Sequence, residues 1–570
     1  MKIRKIEIDH YRGIKNFSWC PSGGLNCLIG PGDSCKSTIL DAIDLCIGAR
    51  RTAKITDADF YMLDVETPIS ITLTVGDLND ALLNLDYYGL FLRGFDTATG
   101  DVADEPRNGL ETVLTLNVLV ESDLEPIWSL FSERAAAQNS TKNLRWKDRL
   151  DLAPSRIGAF AGYDLGWRKG SVLSKLTGEQ ADTASTLAAV VRQAREAFGA
   201  DAERQLSVTL QLVSETANEL GIDIGGGARA LLDNYSVNLN GGTVSLHNKE
   251  GIPLQNLGIG SLRLLVAGLQ RKAAEKAPML LVDEIEYGLE PHRIMRFLGS
   301  LGAKENEPLF QVFLTTHSPV VLRELSGAQM YVLRKSAEGH VALNVGTSDA
   351  IQGTIRAFPE AFLARSVVIC EGASEVGIVR GLDLCMQHNG KQSIFACGTA
   401  LVDAGGVHKV LGRAIALQTL GYRVAVFRDD DEQPSIESER EFETLGGVVF
   451  KWHEGEKLES EVFMAMPDEA INLLLNIAVG ILGDELVNDH LKNASNNEFD
   501  LRKALIEGNK YNDKQRRYIS VASTGKKNPW YKNVSTMEIV GKDVVGNYLD
   551  RSHGQFKDFL LHLMQWAKNE

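Results

Sequence analysis

The 570-residue chain has no run of about 18 apolar residues, the length a membrane-spanning helix needs, so no membrane span is expected. It has no CxxC pair. Its seven cysteines (Cys20, Cys27, Cys35, Cys46, Cys370, Cys385 and Cys397) are scattered, which argues against a zinc module and points to reduced, buried thiols in a cytoplasmic protein. Short-period repeats and low-complexity tails are missing. The start, Met1 to Ile6, alternates in polarity without a secretory apolar core and reads as a strand. Positive charge is in deficit: the net charge is −15, which argues against a surface coated with basic residues for duplex binding. A local track stays open. Lys510, Lys514, Arg516, Arg517, Lys526, Lys527 and Lys532 face one acid, Asp513, with Tyr511, Tyr518, Trp530 and Tyr531 interleaved. That pattern reads either as a solvated helix followed by a loop or as a track for a nucleic-acid backbone and its bases.

What is present suits a globular α/β protein of two to four domains, with 44% hydrophobic and 24% charged residues. Two apolar runs end in acids. Val367 to Cys370 leads into Glu371-Gly372-Ala373-Ser374-Glu375, and Val424 to Phe427 leads into Arg428-Asp429-Asp430-Asp431. Such β-branched runs predict buried parallel strands, whose carboxyl ends are where open α/β sheets place ligands. Glu371, Asp429 and Asp431 are therefore expected on one sheet edge. Converging carboxylates repel unless a cation lies between them, and oxygen donors suit Mg²⁺ or Mn²⁺.

Upstream, Gly30-Pro31-Gly32-Asp33-Ser34-Cys35-Lys36-Ser37 fits G-x4-G-K-S except that Cys35 replaces the second glycine. Backbone N–H groups and a helix N-terminus wrap phosphate in this motif, Lys36 neutralises charge, and Ser37 with Thr38 opens the helix, the Ser37 hydroxyl binding Mg²⁺. The added Cβ of Cys35 is expected to slow turnover more than it weakens binding. Met279 to Val282 ends in Asp283, suited to Mg²⁺, and Glu284, suited to orienting the attacking water. His317 lies at another strand end and resembles the switch histidine of ABC-type ATPases. Gly258, Gly260 and Ser261, in Asn256 to Arg263, look like a divergent signature loop that reaches the ATP of a second subunit, which implies a homodimer. Arg12-Gly13 before the P-loop and Asp59-Phe60 after it resemble the RecF/SMC-like branch of ABC ATPases.

Glu371-Gly372-x-Ser374-Glu375, Gly405-Gly406 and Asp429-x-Asp431 resemble a Toprim domain. An ABC-type ATPase followed by Toprim resembles the OLD (overcoming lysogenization defect) nuclease family, which includes the nuclease subunit of Gabija-type defence systems. The pattern is helical at about 177–222, which reads as a domain helix pair or a dimerisation insert, and a weak boundary falls at 346–360. The resemblance implies an α/β chain with an ATPase domain at 1–345 and a Toprim domain at 360–570. It implies Glu371 as a metal-binding or general-base acid, Glu375 as a metal ligand, Asp429 and Asp431 as the metal-holding pair, and Glu459 as the later acid supporting a second metal. The extra Asp430 leaves the register of that pair ambiguous. Lys532 fits best as the late lysine that stabilises charge on the phosphate, with Lys526 and Lys527 as runners-up. The expected function is an ATP-regulated, Mg²⁺- or Mn²⁺-dependent DNA endonuclease in anti-phage defence, homodimeric and served by a partner defence protein. Its rivals are a RecF-like ATP-gated DNA-binding protein with an inert Toprim, and a primase- or topoisomerase-like enzyme.

Overall fold

In the computed structural model the described residues are 1–158, 172–173, 189–190, 193, 205–212, 246–273, 279–336, 338–452, 455–506, 510–525 and 527–569. Most of the expected helical insert at 177–222, the glycines at 225–227 and 241–242, and Lys526 lie outside them. Contacts divide the chain into two compact units. One is Met1–Cys27, Cys35–Glu324 and Ser336–Val341, and the other is Leu28–Ser34, Leu325–Lys335 and Ala342–Glu570.

A thirteen-stranded sheet organises the ATPase motifs. Its order is Val102–Ala103, Leu92–Phe95, Glu111–Val120, Ile69–Gly76, Lys2–Tyr11, Ile14–Trp19, His340–Asn344, Met330–Lys335, Leu25–Ile29, Gln311–Thr315, Met279–Val282 and Ser155–Ile157, with Pro126–Phe131 branching from Glu111–Val120. The half that begins with Lys2–Tyr11 is antiparallel, as short connections allow. Ile3, Ile6 and Ile8 are fully buried there, in keeping with the polarity alternation of the first residues. At the other end, Met279–Val282 pairs in parallel with both Ser155–Ile157 and Gln311–Thr315. All four of its residues are buried, the burial expected of a parallel strand covered on both faces. Leu25–Ile29, also wholly buried, lies beside Gln311–Thr315, where the Val312 N–H donates to the Gly24 carbonyl at 3.0 Å.

The second unit holds a four-stranded sheet in the order Thr399–Asp403, Ser366–Cys370, Arg423–Arg428, Val448–Lys451, all parallel. Cys370 is level with both Asp403 and Phe427, so the carboxyl ends of three strands align. The helix Ala373–His388 follows the strand that carries Glu371. Gly377 and Gly381 on it let the segment from Val534 to Gly541 approach closely: a Cβ at Gly377 would stand 2.7 Å from the Val534 carbonyl, and one at Gly381 would stand 2.3 Å from that of Glu538.

Within the weak boundary read at 346–360, Ile351, Thr354 and Ile355 bury one face of a helix, Asp349–Ala357. One expectation is corrected here. The aromatic part of the basic track is mostly core, while Lys510, Lys514, Arg517, Lys527 and Lys532 are exposed. Tyr511, Trp530 and Tyr531 are buried, with the Tyr531 hydroxyl donating to the Leu474 carbonyl at 2.8 Å and the Trp530 indole to His490 Nδ1 at 3.1 Å. Arg516 is buried too, donating to the carbonyls of Phe463 and Met466 and pairing with Asp468 at 2.7 Å. Large rings between charges signalled hydrophobic anchors of the second unit, not a stacking platform. Among the described residues no helix is long and apolar enough to cross a membrane.

Candidate nucleotide site and carboxylate cluster

The loop Gly30 to Cys35 joins the strand Leu25–Ile29 to the helix Lys36–Ile47. Gly30 has φ 142°, and a Cβ there would stand 3.0 Å from the Leu333 carbonyl, so only glycine fits. Gly32 has open space around it. Ser34 Oγ donates to the Pro31 carbonyl at 2.8 Å and tightens the loop. Asp33 and Cys35 both adopt left-handed backbone, at φ 59° and 64°. Cys35 therefore stands where the motif wants glycine for conformation as well as for space, at a cost of about 1–2 kcal/mol. Its Sγ lies 2.5 Å from where a Cβ on Gly13 would be, so the Arg12-Gly13 pair leaves room for this thiol.

Lys36 is buried at the start of the helix. The Ser37 hydroxyl donates to Asp283 Oδ1 at 2.8 Å, and Thr315 Oγ1 donates to the same oxygen at 2.7 Å. These hydroxyl and carboxylate oxygens are hard donors of the kind that holds Mg²⁺ beside a P-loop nucleotide. Arg156 lies 3.6 Å from Asp283 Oδ2 and bonds Asp41 at 2.6 Å. Glu284 is exposed, has φ 43°, and donates its backbone N–H to Thr315 Oγ1 at 2.8 Å. Arg263, wholly buried, donates to the carbonyls of Asp283, Glu284, Ile285 and Tyr287 at 2.7–3.4 Å. It locks the turn that carries Glu284. His317 donates its backbone N–H to Glu286 at 2.7 Å, and Thr316 Oγ1 donates to the other Glu286 oxygen at 2.6 Å. Burial and the nearby Lys36 ammonium hold the His317 imidazole below its ordinary range, against the pull of Glu286, Glu284 and Asp283. His317 thus shares one neighbourhood with Lys36 and the strand-end acids.

In the signature-like segment Gly258 lies in open space at the N-terminus of the helix Ile259–Lys272. Gly260 packs within its own chain, because a Cβ there would stand 2.3 Å from the Gly288 carbonyl. Ser261 Oγ accepts from Arg293 at 2.9 Å.

In the second unit, Glu371 and Asp429 follow directly on neighbouring parallel strands. The Asp429 N–H donates to Glu371 Oε2 at 3.2 Å, and the Gly406 N–H donates to the Glu371 carbonyl at 2.8 Å. Gly405 and Gly406, at φ 71° and 115°, let the chain turn there. Glu375 reaches back to the Gly372 N–H at 2.8 Å. Ser374 Oγ donates to Glu459 at 3.3 Å, and the Leu458 N–H donates to Asp429 Oδ1 at 2.9 Å. Relative exposures of 4% for Glu375, 9% for Asp429 and 2% for Glu459 are unusual for carboxylates. Burial, with Asp429 and Glu459 next, pushes the Glu375 carboxyl well above its usual range. Burial and Glu459 push Asp429 up to about 7. Burial, with Asp431 adding, also raises Glu371.

Asp430 turns away. It bonds the fully buried Arg428 at 3.2 Å and Gln433 at 3.1 Å, and these groups outweigh its own burial and hold its carboxyl low. Asp429 and Asp431 are left on the side of Glu371. Lys457 pairs with Asp431 at 2.7 Å. Lys532 is exposed, two residues before Val534 and so close to the first turns of the helix that carries Glu375. Among the described residues no three acidic, histidine or cysteine side chains are arranged to hold a metal ion as they stand. Glu371, Glu375 and Asp429 each accept a hydrogen bond from a backbone N–H on one oxygen. The set fits a hard cation by its chemistry, as buried, mutually repelling oxygen donors.

Sequence reasoning missed Arg156, Arg263, Glu286, Thr315 and Lys457. All but Arg156 sit within or near a recognised motif, but a partner distant in sequence gives each its role.

The lysine and serine that close a phosphate-loop motif, beside an acidic strand end and a histidine on adjacent parallel strands, mark a P-loop ATPase. The model of the AAA domain family described as "putative AbiEii toxin, Type IV TA system" matches residues 25–323, more than half of the chain, and the chain belongs to that family. No curated protein matches it. Among solved structures it is similar to the SMC head domain from Thermotoga maritima, at 14% identity over 61% of this chain and 100% of that one, with a TM-score of 0.29. It is also similar to an SmcHead bound to the C-winged helix domain of ScpA, at 15% identity over 60% of this chain and 98% of that one, with a TM-score of 0.32. A third is the Smc head domain with an extended coiled coil bound to the C-terminal domain of ScpA derived from Pyrococcus furiosus, at 14% identity over 60% and 96%, with a TM-score of 0.30.

Proposed function

We propose that this chain is an ATP-regulated, metal-dependent DNA endonuclease, with its ATPase joined to a Toprim-type nuclease unit. The observation that carries the reading is the cluster of Glu371, Glu375, Asp429, Asp431 and Glu459 beyond the carboxyl ends of two adjacent parallel strands, three of its members buried. Isolated buried carboxylates of one sign are costly, and a divalent ion is the ligand that offsets the cost. These five residues would hold Mg²⁺ or Mn²⁺. Such ions supply water activation and stabilisation of the leaving oxygen in phosphodiester hydrolysis. Glu371 is half-buried beside Asp429 and is suited to accept a proton from water. Lys532 is exposed and is suited to meet a phosphate. In the ATPase, Lys36 and the loop N–H groups would bind the phosphates, Ser37 and Asp283 would hold Mg²⁺, and Glu284 with His317 would position water and γ-phosphate. The resemblance to OLD nucleases supports a role in anti-phage defence, with a homodimer and a partner defence protein.

Plasmid incubated with the protein and Mn²⁺ is expected to be nicked or linearised, and Asp429→Ala is expected to abolish this. Equal cleavage by both proteins sinks the assignment. A second reading, an ATP-gated DNA-binding protein of RecF type with an inert Toprim, is favoured by one observation: among the described residues no acidic group is already set for metal binding. It predicts DNA retention without cleavage under Mg²⁺, Mn²⁺ and Ca²⁺ alike.

A further inference from the structure

The segment Gly455 to Glu459 runs along Asp429 to Asp431 residue by residue. The Gly455 N–H donates to Asp430 Oδ2 at 3.3 Å, and the Asp430 N–H donates to the Glu456 carbonyl at 3.1 Å. Lys457 Nζ lies 2.7 Å from Asp431 Oδ2, and the Leu458 N–H lies 2.9 Å from Asp429 Oδ1. Glu459 then enters the interior beside Ser374. This clamp divides the acids into two groups. Glu375, Asp429 and Glu459 form an inner group, and among the described residues no Lys, Arg or His lies within ion-pair distance of them. Asp431 belongs to a rim group, with its side chain 24% exposed and facing an ammonium whose side chain is 35% exposed.

The two cations beside the motif differ in kind. Arg428 is fully buried, and its guanidinium is shared between Asp430 and Glu439 at 3.2 and 3.1 Å. Leaving would strand a buried charge, so it is a fixed part of the fold. Lys457 is a compact charge on a flexible stem at the surface, with one carboxylate partner inside 3 Å. It can swing into water at little cost.

We infer that Lys457 is a resident cation for Asp431, which holds the rim carboxylate in place and must be displaced before a divalent ion binds there. The inner position then fills first, and the rim position fills only by exchange with the lysine. This makes the two metal positions unequal and gives the site a built-in threshold for full loading. The inference rests on the reading of the cluster as a metal site.

Mn²⁺ binding to the full chain without nucleotide, followed by the electron paramagnetic resonance of free Mn²⁺, tests it. Wild type is expected to show a tight and a weak phase. Lys457→Met and Lys457→Gln are both expected to tighten the weak phase about fivefold, the order of a partly exposed ion pair, and to leave the tight phase alone. Lys457→Arg is expected to keep the weak phase at or below wild-type affinity. A weak phase unchanged or loosened in both neutral variants overturns the inference, because a merely structural lysine predicts loosening. Asp429→Asn separates the two levels. If wild type takes up no Mn²⁺ that Asp429→Asn removes, the metal-site reading fails. If it does, and the Lys457 variants match wild type, only the lysine inference fails.

Discussion

Replacing Asp429 by Asn is expected to stabilise the metal-free protein at the pH where metal binding needs Asp429 charged. In the folded chain its carboxyl is pushed up to about 7 from 3.8, first by burial and then by Glu459. A raised folded value means that the group favours folding while protonated. That contribution is full below about pH 4, the value in the unfolded chain, and is lost as pH rises through about 7. About three pH units at 1.36 kcal/mol each set an upper bound of about 4 kcal/mol. Charge shared with Glu375 and Glu459 reduces this to about 2–3 kcal/mol, since the neighbours adjust when one member is neutralised. The amide keeps the oxygen that accepts the Leu458 N–H, so little packing is lost. For a unit of this size 1 kcal/mol shifts the transition by about 2–4 °C. Calorimetry in EDTA at pH 8 should therefore show the Asp429→Asn transition of the second unit roughly 5–10 °C above wild type. At pH 4.5 the two should nearly coincide. Saturating Mn²⁺ should reverse the order at pH 8, because only wild type keeps the full ligand set. A pH 8 transition for Asp429→Asn at or below that of wild type would refute the reasoning, since it would mean that the buried charge is already compensated.

Three further outcomes follow from the ATPase site. Gly13→Ala is expected to cost about 1–3 kcal/mol in thermal denaturation and to weaken binding of a fluorescent ATP analogue, because its Cβ meets the Cys35 thiol. The same change in a Cys35→Gly background should be nearly silent, and additive losses would count against the contact. Cys35→Gly alone should raise steady-state ATP hydrolysis, by relieving left-handed strain at φ 64°; unchanged or lower turnover speaks against that cause. Arg263→Met should cost about 3–5 kcal/mol and abolish hydrolysis, because four carbonyls of the Glu284 turn lose their donor; a stable, active variant would show that the turn holds itself.

Much of the geometry was legible in order of sequence. The strands Leu25–Ile29 and Met279–Val282 announced themselves as unbroken apolar runs, and both are buried throughout. Glu371 and Asp429 could be expected together, because parallel strands deliver their carboxyl ends to one edge. The rings of Tyr511, Trp530 and Tyr531 misled, since composition cannot say whether an aromatic beside a lysine faces water or the core.

Local sequence determined which segments are strands, where the phosphate loop lies, and that two acidic edges exist, because these depend on side-chain pattern over a few residues. Only the tertiary structure decided that Asp430 turns to Arg428 while Asp429 and Asp431 stay with Glu371. It alone set Arg263 under the Glu284 turn, the Cys35 thiol over Gly13, and Lys457 against Asp431. The directions of these groups are fixed by partners tens to hundreds of residues away. Burial, which sets the energy of each charge, arises only once the chain has closed around it.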